Sequence, residues 1–288
     1  MIAVYKKELR SYFTSMVGYS AITMILVMAG IFVKIVCFDN GVPMMEYALP
    51  TVSMILLLAV PIITMSSFAA EKQTKTDQLL YSLPISTSSI VAGKYFAMLT
   101  VFAVPTLILG LVPAILTLYG SVDLFATYSA LLVFFLLIAA MTAICMFAST
   151  LTDTPITAAV LGAAVLVATY YSATLTSVIP KTEIASLIAF LVLGVLIALA
   201  VYAFVRDFYI AAAVGTVIEL AIAVTYYFNS SLFLGLIQRA VSAFSLFDRF
   251  DIAVRSAVLD INTVVYYLSV SLLFAFLTVQ TVEKRRYN

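Results

Sequence analysis

Roughly eight stretches of this chain run for about 20 residues with almost no charge, the length at which an α-helix crosses a lipid bilayer. They cover residues 17–38, 48–70, 96–119, 125–150, 156–178, 184–205, 208–228 and 261–282. Inside lipid a backbone has no water to bond to, so each run must satisfy its own N–H and C=O groups, which a helix does. The expected fold is therefore all-α, a polytopic transmembrane helix bundle. Only Arg206 and Asp207 part the sixth and seventh runs. If these two bend or re-enter instead of crossing, the count falls to six or seven. Composition agrees: 64% of residues are hydrophobic and 10% charged, against roughly 25% charged in soluble domains.

Orientation follows from Lys and Arg, which collect in cytoplasmic loops. An N-terminus inside places Lys6, Lys7, Arg10, Lys72, Lys75, Lys94, Arg206, Lys284, Arg285 and Arg286 in the cytoplasm. Lys181, Arg239, Arg249 and Arg255 then lie outside, with Lys34 in the first span. Both termini are expected inside, with an even number of crossings. No brief apolar region with a small-residue cleavage site follows the N-terminal charges, so no cleavable signal is expected. One membrane domain, 1–288, is expected, since no Gly/Ser-rich linker or long repeat interrupts it.

Two segments outside the spans have amphipathic patterns. In 1–16, Ile2, Tyr5, Leu9, Tyr12 and Met16 recur at helical spacing, with Lys6, Lys7, Arg10 and Ser11 opposite. This predicts a short interfacial helix in the inner headgroup layer. In 229–260, Phe233, Ile237, Ala240, Phe244 and Phe247 form an apolar stripe against Gln238, Ser242, Ser245 and Arg249. An external helix is expected there, with Asp260 capping the last span.

Catalytic signatures are missing. There is no His, and Cys37 and Cys145 lie far apart in apolar segments, which excludes His-based nucleophilic and zinc chemistry. Gly93-Lys94 lacks both the opening Gly and the following Ser or Thr of a phosphate loop. No enzyme activity, cofactor or metal is expected of this chain. A net charge of +1 gives no reason to expect a nucleic-acid partner. Two intramembrane charges remain. Glu219, mid-span, either contacts an ion, proton or substrate or makes a structural hydrogen bond inside the bundle. Lys34 is expected to snorkel outward toward Asp39. Pro61 and Pro105 interrupt spans, and Ala158/Gly162 and Ala211/Gly215 have the spacing of close helix contacts.

The densest charge lies between the second and third runs, in "EKQTKTDQLLYSLPISTSSIVAGKY" at 71–95. Leu79, Leu80 and Leu83 sit at helical spacing behind a Thr76 or Asp77 cap, and Pro84 ends the turn. This predicts a short amphipathic helix presented to the cytosol, suited to docking a partner.

That stretch, together with "VYKKELRSYFTSMVGY" at 4–19, "ASTLTDTPITAA" at 148–159 and "FDRFDIAVRSAVLDINTVVYYLSVSLLFAFLTVQTVEKRR" at 247–286, resembles the membrane subunits of ABC transporters. More narrowly, it resembles the type-2 exporter permeases grouped with the gliding-motility permease. The resemblance implies that 2–14 is an elbow helix and that 71–95 is a coupling loop docking in a separate ATP-binding subunit, with Glu71, Leu79, Leu80 and Pro84 matching the family's pattern. Where the family usually has Gly-Thr, this chain has Lys75-Thr76. It further implies a second permease chain, same or related, a path between the two driven by ATP, and a cell membrane of prokaryotic type. An extracytoplasmic accessory protein would complete such an assembly. The competing readings are an ion-coupled secondary transporter centred on Glu219 and a membrane assembly or signalling protein without transport.

Overall fold

The computed structural model describes residues 1–39, 41, 44–77, 85–118, 120–178, 180, 182–205, 208–256 and 259–287. Every regular element among them is helical. Among the described residues, five helices are long and apolar enough to cross a membrane, or six if one bent pair counts as a single span. The polytopic all-α bundle is as expected. The chain divides into two compact units, one of Met1–Ala168 with Leu246–Asn288 and one of Thr169–Ser245.

In the first unit, α1 (Ile2–Thr14) turns at Ser15 into α2 (Met16–Val33), and a π-helical turn, Lys34–Asp39, carries that span on. The turn at Ser15 is so tight that a Cβ added at Gly18 would sit 2.4 Å from the Tyr12 carbonyl oxygen. A helix stands where the sequence expects one, and the predicted stripe is half right. Tyr12 is buried and Tyr5 and Leu9 are half-buried, but Val4 and Glu8 are inside, whereas Ile2 and Met16 of the stripe are exposed. The reason is packing against a distant stretch of the chain. At Gly93 the elbow backbone lies so near that a Cβ would meet Met1 O and Val4 Cβ at 3.1 Å, and this seats the i, i+4, i+8 face carrying Glu8.

The second run is broken. A 3₁₀ turn, Met45–Tyr47, leads into α3 (Leu49–Ser53), then α4 (Leu56–Thr64) and α5 (Ala69–Gln73), with a 55° bend between Met45–Ser53 and Leu56–Gln73. Pro61 lies past the bend, inside α4, where it takes from that helix only the bond to the Leu57 carbonyl. Tighter i→i+3 bonds fill the bend, such as Met54 N to Thr51 O at 3.2 Å and Ile55 N to Val52 O at 3.1 Å.

The third helix, α6 (Thr87–Leu109), starts nine residues before the apolar run that announced it, and the short α7 (Val112–Leu116) follows. Its first turns carry Lys94 into the protein. At the centre is α8 (Leu124–Leu151), capped by Asp123 accepting from Ala126 N at 3.1 Å. Small residues (Ala139, Ala140, Ala143, Ala148, Ser149) keep its surface slim, which permits close packing on all sides. Phe134 meets Phe250 and Phe147 meets Phe274, with ring centroids 5.9 and 5.8 Å apart. The next helix, α9 (Pro155–Val178), approaches α8 where Gly162 lies against the Cys145 side chain, as the small-residue spacing predicted.

In the second unit, α10 (Glu183–Val205) and α11 (Phe208–Phe228) fall within one residue of their predicted bounds. They touch closely at Gly215, where a Cβ would meet Ala198 Cβ at 2.9 Å. The 229–260 segment is not one helix. A 3₁₀ turn, Ser230–Phe233, precedes α12 (Leu236–Ala243), and α13 (Leu246–Arg255) belongs to the first unit. Phe233 and Phe247 of the predicted stripe are buried, but Phe244, at the break, is exposed. The last helix, α14 (Ile261–Tyr287), is capped as expected: Asp260 accepts from Asn262 N at 3.1 Å and from the Thr263 hydroxyl at 3.2 Å.

Gly18→Ala tests the elbow turn. A methyl pressed against a backbone carbonyl cannot be relieved by a side-chain rotation, so a loss of about 1–3 kcal/mol in stability is expected. Thermal unfolding of the purified chain in detergent reads it.

Candidate functional site

The densest group of buried charges lies where the elbow, the end of the broken second span and the start of α6 meet. Lys94 is 2% exposed. Its ammonium lies 2.9 Å from Glu71 Oε1 and 3.2 Å from Glu8 Oε1, and donates to Ser67 O at 2.6 Å. The ammonium thus has three oxygens within 3.2 Å, from three parts of the chain. The Phe68 ring covers the cation at 5.0 Å, adding a cation–π contact. Lys7, on the exposed side, is 3.4 Å from Glu71 and 3.7 Å from Glu8. Two cations and two carboxylates thus balance.

An open cavity of about 350 Å³ borders this cluster on the Lys7 side, lined by Glu8, Ser11, Tyr12, Ser66, Glu71 and Thr74 among others. Burial and the neighbouring Glu8 charge push the Tyr12 phenol well above its ordinary pKa. It stays protonated and donates to Ile63 O at 3.3 Å.

Beneath the cluster, residues 65–68 are not helical, and their polar backbone would be costly in a membrane protein if left bare. Ser149 of α8 supplies what the helix does not. Its hydroxyl oxygen accepts from Phe68 N at 3.2 Å and Ala69 N at 3.0 Å, and it donates to Met65 O at 3.4 Å. Lys72 then donates to Thr150 O and, at 3.1 Å, to Thr152 O, capping the last carbonyls of α8. Two arginines of α14 reach the same end. Arg285 pairs with Asp153 at 3.3 Å, and Arg286 donates to Ile85 O at 3.0 Å, just before α6.

Of the predicted coupling residues, Glu71 is in the cluster itself. Thr76 closes the turn that ends α5 and Asp77 follows it, while Leu79, Leu80, Leu83 and Pro84 lie outside the described residues. The turn is a Schellman motif: Thr76 N donates to Glu71 O at 2.9 Å and Lys75 N to Lys72 O at 3.1 Å. It requires a left-handed residue, and Lys75 takes that place with φ +57°. The departure noted in the sequence thus falls on the position where glycine is free and a side chain is strained.

The intramembrane candidates are apart from this cluster in the chain. Lys34 pairs with Asp39 at 3.7 Å, as expected, but both are well exposed, so the pair contributes little. Glu219 is half-buried on α11 beside Gly194, where a Cβ would come within 3.7 Å of Glu219 Cγ. Sequence reading missed Glu8, the burial of Lys94, and Ser149. Glu8 carried a signal: it shares one helical face with Val4 and Tyr12, and a carboxylate on a buried face requires a cation.

Two substitutions separate the contributions. Lys75→Gly removes left-handed strain and is expected to raise stability by about 1 kcal/mol, read as a higher melting temperature. Ser149→Ala leaves two buried N–H groups bare and is expected to cost about 2–4 kcal/mol by the same measurement.

Searches against curated proteins and against solved structures return no match. A family model described as "ABC-2 family transporter protein" matches residues 2–183, well over half of the chain. That range takes in the elbow, the broken span, the Lys94 cluster and the central helix. This chain is an integral membrane protein of the ABC-2 transporter family.

Proposed function

We propose that this chain is the permease subunit of an ATP-driven exporter, pairing with a second permease chain and taking its energy from a separate ATP-binding subunit. Membership of the family makes it an ABC transporter permease, a translocation component and not a catalyst. Export, cytoplasmic termini and the identity of the docking segment belong to the proposal. So does a single membrane domain spanning 1–288.

One observation supports the docking assignment most directly. The segment after Glu71 leaves the bundle through a fixed turn, and its root is held by charges on the elbow and on α6. A loop that only joined two spans would not need to be tied to both. On this reading the partner contacts Thr76, Asp77 and the Leu79, Leu80, Leu83 and Pro84 stretch. Nucleotide-driven closure then pushes on Glu71, and the cargo path forms between two permease copies within the lipid membrane. Glu219 and Lys34 remain candidates for polar contacts along the spans.

Leu79→Asp tests the docking. The substitution places a carboxylate in the expected apolar contact while leaving the spans untouched. Recovery of the ATP-binding subunit on affinity-tagged permease is expected to fall to background, with membrane insertion unchanged. Undiminished recovery would defeat the assignment. Turnover by the purified chain alone, without nucleotide and abolished by Glu219→Gln, would favour the ion-coupled alternative instead.

A further inference from the structure

We propose, on the reading that 71–95 docks an ATP-binding subunit, that Lys94 is the positioning residue through which movement of that segment reaches the elbow and the third span. The argument starts from energetics. A buried ion cluster is a poor stabiliser compared with apolar side chains of similar volume, because desolvating the charges cancels most of their attraction. Breaking one by removing a partner is costly, since it leaves a bare charge inside. Such a cluster therefore holds elements in discrete arrangements better than it adds to stability. Here the elements joined are those a coupling mechanism has to join. Glu71 roots the docking segment, Glu8 belongs to the elbow, and Ser67 O belongs to the break in the second span.

The surroundings provide a second arrangement. Lys7 is exposed and already 3.4 Å from Glu71, and the cavity beside them leaves Glu71 room to swing outward. If the docking segment is pulled outward, Glu71 transfers to Lys7 while Glu8 keeps Lys94 neutralised. If it is pressed inward, Glu71 returns and both carboxylates share the one buried ammonium. Each state keeps every buried charge paired, so the element is two-state and not continuously deformable. Tyr5 supports the coupling on the far side of the elbow, its hydroxyl lying 3.0 Å from that of Thr100 on α6. A push on Glu71 is thus felt by α6 directly and by the elbow through Glu8.

The test uses the reconstituted complex of full-length permease with the ATP-binding subunit that copurifies with it. An environment-sensitive fluorophore at Ala3→Cys, on the exposed face of the elbow, reports ATP-driven movement; the native Cys37 and Cys145 are buried. In Lys94→Met, copurification and ATP hydrolysis are expected to stay within about twofold of wild type. The ATP-dependent fluorescence change and transport are expected to fall about tenfold, because the broken pair no longer transmits. Lys94→Arg, which restores a cation, is expected to recover most of the response. Glu71→Gln, which keeps the shape and removes only the charge, gives the same readout should Lys94→Met fail to fold. A wild-type elbow response in either charge-removing variant overturns the proposal. If the wild-type permease copurifies no ATP-binding subunit, the docking reading itself falls, which is a distinct result.

Discussion

An ammonium group with no access to water must be surrounded by acceptors, and the Lys94 side chain satisfies that requirement by drawing three parts of the chain to one point. Glu8 brings the elbow, Glu71 brings the end of the second span, and the Ser67 carbonyl brings the break between α4 and α5. The elbow's buried face, the early start of α6 and the close approach at Gly93 all follow from that demand.

The break in the second span is the other side of the same arrangement. A helix interrupted in a membrane protein must find substitutes for the hydrogen bonds it gives up, and here they come from α8. One hydroxyl, that of Ser149, serves two amides and one carbonyl. Lys72 closes the end of α8 in return. The central helix and the broken one therefore complete each other's backbone, which fixes residues 65–72 against the end of α8.

Much of this was legible in residues. Long apolar runs announced the helices because lipid allows few alternatives, and the amphipathic start announced the elbow. The charged stretch at 71–95 stood out because so little else in the chain is charged. What could not be read was the reach of individual side chains. The predicted elbow stripe followed hydrophobicity and so put Tyr12 inside correctly but Ile2 and Met16 wrongly, since the gain from burying Glu8 depends on a lysine 86 positions away. Pro61 marked the second run for a kink, but the bend falls earlier, between Ser53 and Leu56. The 229–260 segment read as one amphipathic helix because the pattern passes smoothly through Phe244 and Ser245, where the structure divides.

Lys75 carries one more implication. Because two main-chain hydrogen bonds and a left-handed backbone set the exit from α5, the turn is written in the main chain of residues 71–76. A geometry held that way is one that drift in the neighbouring side chains cannot easily erase.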